Sequence, residues 1–237
     1  MNKQTTITQE QLVANINHVR SSIAEAAERV GRNPDDVSLV AVSKTVPVAL
    51  VQMAYNLGVI NFGENRVQEA LPKITAFSPP GVHWHMIGHL QSNKARKVVG
   101  SFYCVQSVDS LHIAQALNRH AEKQGKHLPI LLEINISGEA SKEGMTPTET
   151  PELARQIAAL SYLKVQGLMT IAPLVQNPEE ARPVFRELRK LRDRLRAEIP
   201  QCSWHHLSMG MTDDYPVAIE EGATIVRIGR AIFGERT

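Results

Sequence analysis

The apolar positions of this chain change period repeatedly, and the change marks out its elements. Leu12, Ile16, Val19, Ile23, Ala27 and Val30 recur at spacings of three and four, which places them on one stripe of a helix, and Gly31 follows as a stop. A short unbroken apolar run, SLVAVSK at 38–44, then takes over. Such a run suits a strand covered on both faces, and Pro47 suits the first turn of a helix after it. Seven further apolar runs follow, near 59–62, 84–87, 103–108, 130–136, 165–171, 206–209 and 224–228.

The segments between these runs can be helical. In one of them Val184, Leu188, Leu191 and Leu195 form a stripe, while Arg186, Glu187, Arg189, Lys190, Arg192 and Asp193 fill the solvated faces. Eight strand–helix units preceded by an extra helix predict an α/β fold, a (β/α)8 TIM barrel rather than an open doubly wound sheet. No linker or shift of composition interrupts the pattern, so residues 1–237 are expected to form one domain.

Composition narrows the partners. With 26 basic and 24 acidic residues the formal charge is +2, too small a field to gather nucleic acid or an anionic membrane. The opening MNKQTTITQE has no apolar run of the kind a signal peptide needs, and no stretch reaches the roughly 20 apolar residues of a membrane span. A cytoplasmic protein with a small or peptidic partner is expected. Cys104 and Cys202 show no CxxC or Cys/His spacing and read as reduced thiols.

A barrel of this kind carries its chemistry at the carboxyl ends of the strands. Lys44 ends the apolar run 38–44, an unusual address for a lysine. An ammonium near apolar walls has its charged form disfavoured, which frees an amine to form an imine with an aldehyde; the other reading is a strand-end lysine reaching solvent. HHLSMGMTDD and TIVRIGRAIFG run off the last two strands, whose loops often bind phosphate. There Ser208, Gly210 and Thr212 offer hydroxyls and close backbone approach, Asp213 and Asp214 could cap the following helix, and Gly229 and Arg230 can present N–H groups at the start of the last one. Arg227, two residues before Gly229, aims the same way; it faces a ligand or pairs with a carboxylate such as Glu64 or Glu133. His83, His85 and His89 invite a metal reading, which is set aside because no further ligands are evident at strand ends, and no metal is assigned.

These residues closely resemble a known family. VAVSKT, NFGENRVQE, WHMIGHLQSNK, EINIS, GLMTI, LSMGMTDD and VRIGRAIFG, in this order along nearly the whole chain, look like the YggS/PROSC pyridoxal phosphate homeostasis proteins, with Thr212 where serine is frequent. The resemblance implies a barrel similar to the amino-terminal domain of alanine racemase. It further implies pyridoxal 5′-phosphate (PLP) held as a Schiff base on Lys44, its phosphate among Ser208, Gly210, Thr212, Gly229 and Arg230, and Arg227 at the pyridine nitrogen, with Asn65 lining the ring. The implied role is binding and distribution of PLP by a monomer, with apo PLP-dependent enzymes as recipients and no turnover; weak amino-acid racemisation is the alternative.

Overall fold

The computed structural model describes residues 7–139 and 142–235; residues 1–6, read above for a leader, lie outside them. Eight parallel strands close into a barrel in chain order: β1 Ser38–Val42, β2 Asn61–Glu64, β3 His83–Met86, β4 Cys104–Val108, β5 Leu128–Glu133, β6 Leu163–Met169, β7 His206–Ser208 and β8 Ile225–Ile228. The helices are α1 Gln9–Glu28, α2 Val48–Asn56, α3 Val67–Ala76, α4 Ala95–Ser101, α5 Leu111–Lys123, α6 Thr150–Ala158, α7 Arg182–Glu198, α8 Tyr215–Glu220 and α9 Arg230–Phe233. Every apolar run read as a strand overlaps one, with ends displaced by up to three residues, where boundary signals are weakest.

Strand alternation sorts the side chains. Val40, Cys104, Leu131, Met169 and Ile225 form a small apolar cluster of their own inside the barrel, and the large cluster lies between strands and helices. The pairings Val40↔Asn61 and Val40↔Arg227 put Asn61 and Arg227 on the inner side with Val40.

The extra helix α1 starts on a capping box in which Thr8 and Gln11 satisfy each other's backbone N–H. It packs against α8 and α9, and Leu12, Ile16 and Val19 are fully buried there, each contributing about 1.5–3 kcal/mol of burial. Asn15 Nδ2 donates to the Ile232 carbonyl at 3.0 Å, while Arg32 donates to Ile219 O at 2.6 Å and Ala223 O at 2.9 Å. The helix and the turn after it therefore brace the segments on both sides of β8. Val30 departs from the expected stripe: it lies past the helix end and is exposed. In α7, Phe185 takes the buried place expected of Val184. Among the described residues no helix is long and apolar enough to cross a membrane.

Candidate functional site

Lys44 lies two residues past β1, not within it. Ser43 N still donates to Gly63 O at 2.9 Å, so pairing with β2 continues for one residue, and Lys44 lies half-buried in the turn that follows. The chain then turns sharply, and Thr45 adopts φ 64°, a left-handed conformation that costs a β-branched residue about 1–2 kcal/mol. The turn is clamped from below. Ser43 Oγ donates to Glu64 Oε1 at 2.7 Å, and Lys73 Nζ of α3 donates to Ser43 O at 2.6 Å and to Glu64 Oε1 at 2.8 Å. This ion pair is buried, with side-chain exposures of 13% for Lys73 and 0% for Glu64, and Glu64 Oε2 has no hydrogen-bond partner. Glu64 is thus committed to Lys73, not to Arg227.

Pro47 is the N-cap of α2, one position before the expected first turn. Asn65 sits half-buried at the end of β2. Its backbone is packed so closely under Gly88 that a Cβ there would lie 2.5 Å from Asn65 O, so only glycine fits.

On the opposite side of β1, Arg227 is buried and reaches across the barrel. Its Nη1 donates to Ser208 Oγ at 2.6 Å and its Nη2 to Thr170 O at 2.8 Å; its other N–H groups have no acceptor among the described residues. Burial pulls its pKa down to about 10, against the opposing pull of Glu133 and Asp214, so the guanidinium stays charged at neutral pH. No carboxylate forms a salt bridge with it among the described residues.

Ser208 is tied to both Arg227 and β4. Its hydroxyl is fully buried, accepts from Arg227 and donates to Gln106 Oε1 at 2.7 Å. Thr212, half-buried in the same loop, has no side-chain hydrogen bond among the described residues. Gly210, at φ 92°, lets α8 approach: a Cβ would lie 2.6 Å from Ala218 Cβ. Asp214 occupies the N-cap position of α8 but its side chain does not cap the helix; its Oδ1 accepts from Met211 N at 2.6 Å, fixing the loop instead. Gly229 is the N-cap of α9, and the leading N–H groups of that helix have no acceptor within it. The Arg230 side chain turns aside to Asp213 and Glu235.

The other half of the mouth is acidic. His89 Nδ1 lies 3.0 Å from Asp109 Oδ2 and 3.8 Å from Glu143 Oε1, beside a cleft of about 500 Å³ that these residues line with Ser110 and His112. Glu133, buried at the end of β5, is pushed up to about 7 by burial and by Asp109. The HxH pair turns inward: His85 Nε2 is 3.2 Å from Asn61 Oδ1 and its Nδ1 is 3.1 Å from Gln106 Nε2, so both nitrogens are occupied. Cys104 is a buried free thiol pushed up to about 12, and Cys202 is also free. Gln106, Thr170 and Lys73 were not singled out in the sequence, and Glu64 was named only as a partner for Arg227; strand alternation alone would have aimed Gln106 inward.

A family model described as alanine racemase, N-terminal domain, matches residues 14–237. The pyridoxal phosphate homeostasis protein of Aquifex aeolicus is 44% identical over 221 residues, covering 93% of this chain and 96% of that protein. The Escherichia coli protein of the same name is 41% identical over 225 residues, covering 94% and 95%. PipY of Synechococcus elongatus, solved with PLP bound, is 36% identical with a TM-score of 0.84, covering 94% of this chain and 100% of that one. Alanine racemase of Clostridium difficile, 16% identical with a TM-score of 0.71 over 96% of this chain and 57% of that one, shares the fold. With its closed barrel, its strand-end lysine and relatives matched along nearly their whole length, this chain belongs to the pyridoxal phosphate homeostasis protein family, on the barrel of the alanine racemase N-terminal domain.

Proposed function

We propose that this chain binds PLP at the mouth of its barrel and takes part in intracellular vitamin B6 homeostasis as a carrier, without catalytic turnover. Bound PLP supplies an aldehyde carbon with which amines condense reversibly. Lys44 is the amine this chain offers. Thr212, Gly210 and the backbone N–H groups at Gly229 and Arg230 receive the phosphate, Arg227 meets the pyridine nitrogen, and Asn65 lines the ring. An arginine at that nitrogen keeps it unprotonated, because a guanidinium cannot give up its proton there. This weakens the electron withdrawal that PLP enzymes exploit, which suits holding over transforming.

The observation that carries this reading is the state of Arg227: a buried cation, fixed by Ser208 and the Thr170 carbonyl, with no salt-bridged carboxylate among the described residues and donors to spare. The names of the relatives and the PLP bound in PipY support it. We place the protein in the cytoplasm as a monomer, with apo PLP-dependent enzymes as recipients and no nucleic-acid or membrane partner.

The test is a visible absorption spectrum of the protein with PLP, before and after borohydride, followed by peptide mass mapping. A band that borohydride removes, with the adduct on Lys44 and absent from Lys44→Ala, is expected. No band after addition of PLP, or an adduct that survives Lys44→Ala, would overturn the reading.

A further inference from the structure

Five buried or half-buried side chains join Arg227 to the far end of the barrel. Arg227 Nη1 donates to Ser208 Oγ at 2.6 Å and Ser208 Oγ to Gln106 Oε1 at 2.7 Å; Gln106 Nε2 lies 3.1 Å from His85 Nδ1, and His85 Nε2 lies 3.2 Å from Asn61 Oδ1. His83 Nδ1 also reaches Asn61 Oδ1, at 3.3 Å. The links run from β8 through β7, β4 and β3 to β2, across the inside of the barrel.

The direction of every bond is forced from one end. A guanidinium has only donors, so Ser208 must accept from it and spend its own proton on Gln106. Gln106 Nε2 must then donate, His85 Nδ1 must accept, and the ring proton must sit on Nε2, where it meets the Asn61 carbonyl oxygen. Gln106 and Ser208 are fully buried and His85 is 5% exposed, so no water competes and each bond polarises the next. A ring in this position must be neutral, and burial holds the His85 pKa at about 3, which agrees with the bonding.

We propose that Gln106 and His85 are positioning residues for Arg227: they hold Ser208 with its lone pair toward the guanidinium, and thereby fix the donor that faces the pyridine nitrogen. This rests on the assignment of Arg227 to PLP, but the network itself is measurable in cofactor-free protein. Three proteins suffice: wild type, Gln106→Leu and Gln106→Glu. Nitrogen NMR of ligand-free wild type is expected to show His85 as the neutral Nε2–H tautomer throughout pH 5–8. Gln106→Glu keeps the acceptor for Ser208 but has no N–H for His85, so His85 must gain a proton at Nδ1 and become an imidazolium near neutral pH. Gln106→Leu is expected to weaken PLP binding by roughly tenfold, the loss of one buried positioning bond, and to shift the pH titration of the bound chromophore; Gln106→Glu, which keeps Ser208 held, recovers most of the affinity.

An Nδ1–H tautomer in wild type overturns the network, and that measurement stands even if a variant fails to fold. Unchanged affinity and titration in a folded Gln106→Leu protein overturn the positioning role. If wild type binds no PLP, the function assigned above fails while the tautomer still decides the network.

Discussion

The mouth of this barrel has two unlike halves. On the side of β7, β8 and β1, the chain presents donors: Arg227, the start of α9, the Thr212 hydroxyl and Lys44. On the side of β3, β4 and β5 it presents His89, Asp109, Glu133 and Glu143. The donor half is immobilised by short bonds to neighbours, as in Arg227 to Ser208 and Thr170 O or Lys73 to Ser43 O. In the acidic half burial and the neighbouring Asp109 work against ionisation of Glu133, which holds its proton up to about pH 7. The difference teaches that the strand ends of one barrel can carry fixed donors on one side and a carboxyl kept from ionising on the other, according to which groups are given partners.

The harshest way to break the donor half is to free the turn under Lys44. Lys73→Met leaves the Glu64 carboxylate buried without its ion-pair partner, which costs about 3–5 kcal/mol, read as a fall in the denaturation midpoint. The double variant Lys73→Met/Glu64→Leu should regain most of it, since paired removal leaves no orphan charge. A single variant as stable as wild type would show that the clamp does not hold the turn.

A milder cut tests the phosphate side alone. Thr212→Ala removes one neutral hydroxyl and should cost about 0.5–1.5 kcal/mol of PLP affinity, a several-fold rise in Kd by fluorescence titration, with the borohydride adduct still on Lys44. No change would remove Thr212 from the phosphate cradle.

The smallest effect on binding is expected in the acidic half. Glu133→Gln should leave the PLP Kd within about twofold, while changing how stability depends on pH. Because the folded-state pKa of Glu133 is raised from 4.5 to about 7, the native state favours its protonated form, and stability is lost as pH rises from 4.5 through 7. The Gln variant should flatten that part of a melting-temperature profile. His85 acts in the opposite sense: its folded pKa is depressed to about 3, so its contribution is lost as pH falls below 6.5. A collapse of PLP affinity in Glu133→Gln would erase the division between the halves.

Much of this architecture was legible along the chain. Apolar runs of strand length separated by helical stripes determined eight strands and a barrel, because burial on both faces leaves a local signature in each strand. The addresses of Lys44, Thr212, Arg227 and Gly229 followed from their places at strand ends. Tertiary structure decided how the polar groups are shared. Ser208 stands beside Gly210 and Thr212 in sequence, yet its partners are Arg227 and Gln106, the latter 102 residues away; Glu64 is claimed by Lys73, and Asp214 by a backbone N–H behind it. Hydrogen bonds are directional and saturable, so which acceptor meets which donor depends on contacts closed by the barrel, and no local pattern of apolar and polar residues records that choice.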